Sequence, residues 1–267
     1  MTFSDFTKSA IEIATQAGSF LKNSFAKPHQ ISSKEGKKNL VTECDIFSEN
    51  LIISFLQNRF PSHGFLAEEQ GSRNPNPETD PEIFWVIDPL DGTVNFAYQI
   101  PIFTVSIAAC TKEKVLTGVI FQPMSGELFI AEHGKGAFLN NAPIHVSKET
   151  SLDEAFLATG FPYNIQDRPA ECIDPLLSFL RRGLHIRRLG SAALDLAYVA
   201  AGRFDAFFEI ELQPWDMAAG MLLVQEAGGV ISSYEGKARL PLHSGSIVAS
   251  NAHIHQNMLN SVQGIYT

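Results

Sequence analysis

Trp85-Val86-Ile87-Asp88-Pro89-Leu90-Asp91-Gly92-Thr93 is an apolar run that ends in two carboxylates three residues apart, followed by a Gly-Thr turn. The run reads as a buried strand and its end reads as a site. Stability gives no reason to force two anions together, because they repel unless a positive charge sits between them. Tightly clustered hard oxygen donors suit Mg²⁺, which binds through carboxylates and phosphate oxygens. Gly92 and Thr93 offer backbone N–H groups and a hydroxyl just beyond the cation, and small residues let a backbone approach a phosphate closely. The stretch is therefore read as a metal-dependent phosphate site.

Two further acidic signals lie far away in sequence. Phe65-Leu66-Ala67-Glu68-Glu69 is a short apolar strand ending in paired carboxylates. In Pro214-Trp215-Asp216-Met217-Ala218-Ala219-Gly220, Asp216 falls in the first turn of a helix, where the dipole favours an acid with or without a metal. Taken singly, each acid reads more readily as a cap or a solvated surface residue than as a ligand. Together, two strand ends and one helix start can converge on one point.

Working outward, the 267 residues are 45% hydrophobic, enough for a substantial core and against disorder. The net charge of −9 disfavours nucleic acid or an anionic membrane as the main partner. An acidic site should also repel an anionic substrate, a conflict that divalent cations remove by reversing the local sign of charge. Cys44, Cys110 and Cys172 are widely spaced, which argues against a disulfide framework or a structural zinc site. A reducing, cytoplasmic setting is expected. Asp5, Lys8 and Glu12 interrupt any signal-peptide core, and no apolar run approaches membrane-spanning length.

Helical spacing of Phe3, Phe6, Ala10, Ile13, Ala17 and Leu21 predicts a first helix, with Thr2 and Asp5 as its start and an end near Phe25. A polar loop follows over 32–39, then a helix from about Asp45 to Phe60, stopped by Pro61. Residues 72–81 read as a loop. From Phe84 to Val146 the pattern alternates like an antiparallel meander. The remainder mixes strands near 155–159, 185–189, 205–212, 229–233 and 246–250 with helices at 191–201, 214–227 and 252–262. No composition break marks a linker, so one mixed α and β domain over 1–267 is expected. The eight histidines form no ligand pattern, and His253 and His255 are expected to be exposed. No serine nucleophile elbow or Cys–His pair is visible.

In order and spacing, Glu68-Glu69, Asp88 to Thr93 and Trp215 to Gly220 resemble the signatures of the inositol monophosphatase family, over essentially the whole chain. Val41-Thr42-Glu43-Cys44-Asp45 resembles its Val-Thr-x-x-Asp segment. Gly190-Ser191-Ala192-Ala193-Leu194-Asp195-Leu196 resembles the stretch that touches the substrate's ring, and Ala192 to Gly229 is most like the bacterial members. The resemblance implies layers in the order α-β-α-β-α with the active site between two sheets. It implies Mg²⁺-dependent hydrolysis of a phosphate monoester, myo-inositol 1-phosphate above all, with sensitivity to lithium. Asp88 would be shared by two metals, Asp91 and Asp216 would hold the second, and Glu68 with the Leu90 carbonyl the first. A weaker third metal would lie near Glu68. Thr93 would orient the attacking water, which lies between Glu68 and Thr93, and Asp45 would support Thr93 and accept the proton relay. Asp91, Gly92, Thr93, Gly190, Ser191, Ala192, Glu209 and Asp216 would contact substrate. A homodimer is implied too.

Other readings of these residues stand beside the implied ones. Thr42-x-x-Asp45 also fits a capping box. Glu209 also fits a strand-edge charge. Adjacent strand residues point to opposite faces, so Glu69 is an outer-shell or a surface group rather than a co-ligand of Glu68. Lys34 matches a lysine on the family's mobile metal loop, with Lys37 and Lys38 as neighbouring choices. Fructose 1,6-bisphosphate, histidinol phosphate and 3′-phosphonucleotides are rival substrates. The nucleotidase branch commonly carries an acid where Pro214 stands, and only Arg187, Arg188 and Arg203 offer charge for a second phosphate. Some bacterial members also act in transcription through protein partners, which this chain could do without contacting nucleic acid directly.

Overall fold

The computed structural model describes residues 2–27, 31–33, 40–74, 80–167 and 169–264. Lys34, Lys37 and Lys38 lie outside the described residues. Helix α1 (Asp5–Ser24) buries Ala10, Ile13, Ala14, Ala17 and Leu21, a stripe at the spacing of one helix face. Its cap is Ser4 rather than Thr2, two residues later than expected. The reason is tertiary: Ser4 Oγ and Thr7 Oγ1 both donate to Glu132 Oε2, at 3.1 and 2.6 Å. Strands β1 (Ile31–Ser33) and β2 (Leu40–Thr42) pair antiparallel and lead into α2 (Glu43–Arg59).

The next elements in the chain are β3 (Gly64–Ala67), β4 (Gly71–Arg73), β5 (Phe84–Asp91), the short helix α3 (Thr93–Ala97), β6 (Thr104–Cys110) and β7 (Val115–Gln122). They are followed by β8 (Glu127–Glu132), β9 (Ala137–Leu139) and β10 (Ala142–Ile144). These strands form one eight-stranded sheet in the order β10-β9-β8-β7-β6-β5-β3-β4. From β5 to β10 it is the antiparallel meander that the alternation predicts, while β3 joins β5 in parallel. Every residue of β6 is buried, so both faces of the sheet are covered at its centre.

The remaining elements are β11 (Phe156–Thr159), α4 (Pro169–Arg181), β12 (His185–Arg187), α5 (Ala192–Ala200) and β13 (Ala206–Leu212). Then come α6 (Pro214–Glu226), β14 (Gly229–Ser232), β15 (Gly245–Asn251) and α7 (His255–Val262). The strands make a second sheet, ordered β12-β11-β13-β15-β14. Helices α1 and α2 pack on the outer face of the large sheet, α5 and α6 lie between the sheets, and α4 and α7 cover the small sheet. This is the α-β-α-β-α layering. It follows from composition: α5 and α6 are apolar nearly all round, and such helices must be covered on both sides.

Helix α4 is not among the expected elements, and a proline inside a helix costs a backbone bond. Pro175 nevertheless sits inside the helix and is buried with Cys172 and Phe179, so packing outweighs the lost backbone bond. His255 also differs from expectation. It opens α7 and is 8% exposed, with Ser232 Oγ and Ser250 Oγ at 2.9 and 2.8 Å from its two ring nitrogens. Those hydroxyls satisfy both nitrogens, which makes burial tolerable. His253 is exposed as expected. Among the described residues no helix is long and apolar enough to cross a membrane.

Candidate active site

Residues 88 and 91 are an odd number of steps apart, so in a regular strand their side chains would leave opposite faces. The register of β5 resolves this. Asp88 pairs with Ser106 and Asp91 with Thr104, so three steps on β5 face two on β6. One extra residue is accommodated at Pro89-Leu90, a bulge that re-aims the strand end. Pro89 has no N–H to lose from the ladder. Leu90 N–H turns inward and donates to Asp88 Oδ1 at 3.0 Å.

Asp45 and Thr93 meet directly behind this bulge. Asp45 Oδ2 accepts from Thr42 N–H at 2.8 Å and from the Thr42 hydroxyl at 2.6 Å, which is the capping box of α2. Its Oδ1 accepts from Thr93 Oγ1 at 2.7 Å. The cap and the support of Thr93 are therefore both present, one on each carboxylate oxygen. Thr93 Oγ1 also lies 3.0 Å from the Leu90 carbonyl, and Ser48 Oγ donates to the Pro89 carbonyl at 3.0 Å, so α2 grips the bulge from beneath. Gly92 adopts φ +104°, and a Cβ there would lie 3.0 Å from the Ile102 carbonyl and 3.2 Å from that of Gly190, so only glycine fits this corner.

Glu68 and Glu69 lie in the turn after β3 and not in the strand itself, so the alternating-face argument does not apply to them. Glu68 borders the cleft, and Glu69 N–H donates to Glu49 Oε2 at 2.8 Å. Asp216 Oδ2 accepts from Gln213 N–H at 2.7 Å, so it caps α6 and borders the cleft as well. Asp91 Oδ2 reaches across to α5, taking the Ser191 hydroxyl at 2.6 Å and Ala193 N–H at 2.8 Å.

These acids lie near enough to repel one another. Burial, followed by repulsion from Glu68, Asp91 and Asp216, pushes the Asp88 carboxyl well above the usual carboxylate range. Burial and then Asp91 do the same to Asp216. Asp91 is raised by burial against the bonds from Ser191 and α5. A divalent cation reverses each of these shifts. The donor set fits one: carboxylates and the Leu90 carbonyl are hard oxygen ligands. Among the described residues no three Asp, Glu, His or Cys side chains form a ready-made metal group.

Glu68, Asp91 and Asp216 line a cleft of about 460 Å³. Gly190, Ser191, Ala192 and Glu209 line it too, with Ser191 in direct contact with Asp91. Glu209 packs against the Gly160 backbone so closely that a Cβ at 160 would lie 2.1 Å from its Oε2. Burial and Asp91 raise the Glu209 carboxyl to about 8, against Arg188, which lowers it. The sequence reading did not single out Asn95, Gly160 or Tyr163, and it quoted Asp195 only within the stretch 190–196, without a role of its own. Asn95 Nδ2 donates to the carbonyls of Ile102 and Leu189, both at 2.8 Å, and so joins α3 to the segment before α5. A lone acid in the Ala- and Leu-rich α5 was the one available signal for Asp195.

Comparison with known proteins decides the family, because the model of the inositol monophosphatase family matches residues 3–266. The chain belongs to the inositol monophosphatase family. It is thus a phosphatase, similar to Nus factor SuhB of Escherichia coli K12, with 41% identity over 255 residues, 95% of this chain and 94% of that one. It is also 41% identical to the inositol-1-monophosphatase of Synechocystis, over 93% of this chain and 86% of that one. The crystal structure of the extragenic suppressor protein suhB from Bartonella henselae superposes with a TM-score of 0.90 at 38% identity, covering 97% of this chain and 99% of that one.

Proposed function

We propose that this family member hydrolyses myo-inositol 1-phosphate to inositol and phosphate in the cytoplasm, with Mg²⁺ held by Glu68, Asp88, the Leu90 carbonyl, Asp91 and Asp216. The observation that supports the reading is the cleft itself, lined by Glu68, Asp91 and Asp216 together with Glu209 and the small residues 190–192. Bound there, Mg²⁺ supplies an acidified water and offsets charge on the leaving ester oxygen. The chain's own residues position and relay. Thr93 Oγ1, its proton committed towards Asp45 or the Leu90 carbonyl, accepts a hydrogen bond from the attacking water and orients it. The water's proton passes to Thr93 while the hydroxyl proton passes to Asp45. Gly92 keeps the turn narrow enough for backbone to face the phosphate, and Glu209 accepts ring hydroxyls. No covalent intermediate is needed, since position and electrostatics lower the barrier.

Arg187 stacks on Phe156 and Arg203 pairs with Glu127, so of the three arginines only Arg188 borders the cleft. Among the described residues, Arg188 as the one cation lining the cleft is poor provision for a second phosphate, which favours a monophosphate over fructose 1,6-bisphosphate or a 3′-phosphonucleotide. The test is phosphate release in Mg²⁺ from inositol 1-phosphate, fructose 1,6-bisphosphate, histidinol phosphate and 3′-phosphoadenosine phosphate. The highest kcat/KM is expected on inositol 1-phosphate, and a tenfold preference for any of the others would replace it. A second role, in a transcription complex through protein partners, is favoured by the likeness to proteins named Nus factor SuhB. Pull-down of RNA polymerase or antitermination factors from extract tests that role, and their absence from the eluate removes it.

A further inference from the structure

Helix α2 turns three polar residues of its buried face towards the segments that carry the carboxylate cluster. Asp45, Ser48 and Glu49 lie at positions i, i+3 and i+4, on one face of the helix, and all three are fully buried. Asp45 accepts from Thr93 Oγ1 and Ser48 donates to the Pro89 carbonyl, so both reach the β5 bulge and the turn beyond it. Glu49 reaches a different segment, the turn after β3, where its Oε2 accepts from Glu69 N–H at 2.8 Å. Its Oε1 meets no hydrogen-bond partner. A fully buried carboxyl with one oxygen left over costs stability. Proteins break local rules in this way where a site demands it.

We propose that Glu49 is a positioning residue that aims Glu68 at the metal. The inference rests on the Mg²⁺-dependent reading above and deepens it at one ligand. A peptide unit is planar, so the direction in which a side chain leaves the backbone is set once the two units flanking its Cα are fixed. The unit before the Glu68 Cα is held by the large sheet, where Glu68 N–H donates to the Ile87 carbonyl at 3.2 Å. The unit after it is held by Glu49, through Glu69 N–H. The first clamp comes from β5, the strand that carries Asp88. The second comes from α2, which also grips the bulge after Asp88 through Asp45 and Ser48. Glu68 is thereby set relative to Asp88 and the Leu90 carbonyl by anchors that all three share. What this clamp requires of residue 49 is an acceptor at the reach of a glutamate. Groups that orient a metal ligand are worth about 10–100-fold in metal affinity.

The test is calorimetric titration of Mg²⁺ into EDTA-stripped wild type, Glu49→Gln and Glu49→Asp, with thermal melts and phosphate release from inositol 1-phosphate beside it. Glu49→Gln keeps an acceptor at the same reach without the charge, and Glu49→Asp keeps the charge one methylene short. Glu49→Asp should weaken Mg²⁺ binding by about tenfold or more, and Glu49→Gln by no more than about threefold. The Mg²⁺ concentration for half-maximal turnover should rise in step, while KM for inositol 1-phosphate at saturating Mg²⁺ stays near that of wild type. A lower Tm in Glu49→Asp with wild-type Mg²⁺ binding would make Glu49 a structural residue and overturn the assignment. Equal losses in the two variants, or the larger loss in Glu49→Gln, would overturn it as well, because charge rather than reach would then matter. Should Glu49→Asp not fold, Glu49→Gln decides: binding within about threefold of wild type upholds the clamp, and a loss of about tenfold in a natively folded variant removes it. Wild type that binds no Mg²⁺ would instead overturn the parent reading, and the inference with it.

Discussion

At Asp45 one carboxylate serves two masters, with Oδ2 capping α2 and Oδ1 holding Thr93. Removing the Thr93 hydroxyl without changing its shape separates the proposed relay from the cap. Thr93→Val should lower kcat by about 10²-fold or more, the usual worth of a positioned proton acceptor. KM should change little, and stability should fall by about 1–3 kcal/mol as Asp45 Oδ1 loses its donor. Steady-state kinetics and a denaturant melt check both, and wild-type kcat would leave the hydroxyl as support for the cap alone. Asp88, Asp91 and Asp216 were legible in the sequence because acids at strand ends and helix starts are local signals. What was not legible was shared duty. Asp216 caps α6 and joins the cluster, and Asp45 caps α2 and meets Thr93, the last a contact 48 residues apart. The lining by Gly160 was hidden for the same reason, since it carries no motif by itself.

Helix α6 brings Asp216 to the cleft, and the large sheet decides where α6 can lie. A Cβ at Gly118 in β7 would stand 2.7 Å from the Ala219 carbonyl oxygen and 2.9 Å from its Cα, a clash with backbone that cannot rotate away. Gly118→Ala should cost about 1–3 kcal/mol by overpacking. It should also lower kcat, because Ala219 is three residues beyond Asp216. A melt at the wild-type Tm would show that the helix has room to move. Helix α7 carries a different liability in His255, whose pKa burial lowers from 6.5. Below about 6.5 the unfolded chain takes up a proton that the folded ring resists, so stability is fully present above that pH and is lost as pH falls below it. Tm measured downwards from neutral pH should fall with a slope that His255→Gln flattens, and equal slopes would contradict this. Among the elements, the meander was readable because strand alternation is local. Helix α4 was not, since Pro175 masks a helix whose stability comes from burial against the small sheet.

Across the whole molecule, the layering puts α4 outermost on the small sheet, with Ile173, Leu177 and Leu180 exposed at 43%, 39% and 52%. They recur at one-face spacing, and we propose this stripe as part of the homodimer interface that family membership implies. Sedimentation at micromolar concentration should give a dimer, and Leu177→Asp with Leu180→Asp a monomer. Wild type that sediments only as monomer would remove the dimer. One domain over residues 1–267 should melt in a single transition at fixed concentration. The central claim remains that four carboxylates from β3, β5 and α6 meet to hold Mg²⁺ for hydrolysis. The most direct measurement is phosphate release from inositol 1-phosphate as Mg²⁺ is titrated into EDTA-treated protein, wild type beside Asp88→Asn. The account predicts turnover that is absent in EDTA, restored by Mg²⁺ in wild type and lost by a factor of about 10² or more in Asp88→Asn, whose far-UV CD stays native. Full turnover in EDTA, or in Asp88→Asn, would contradict it.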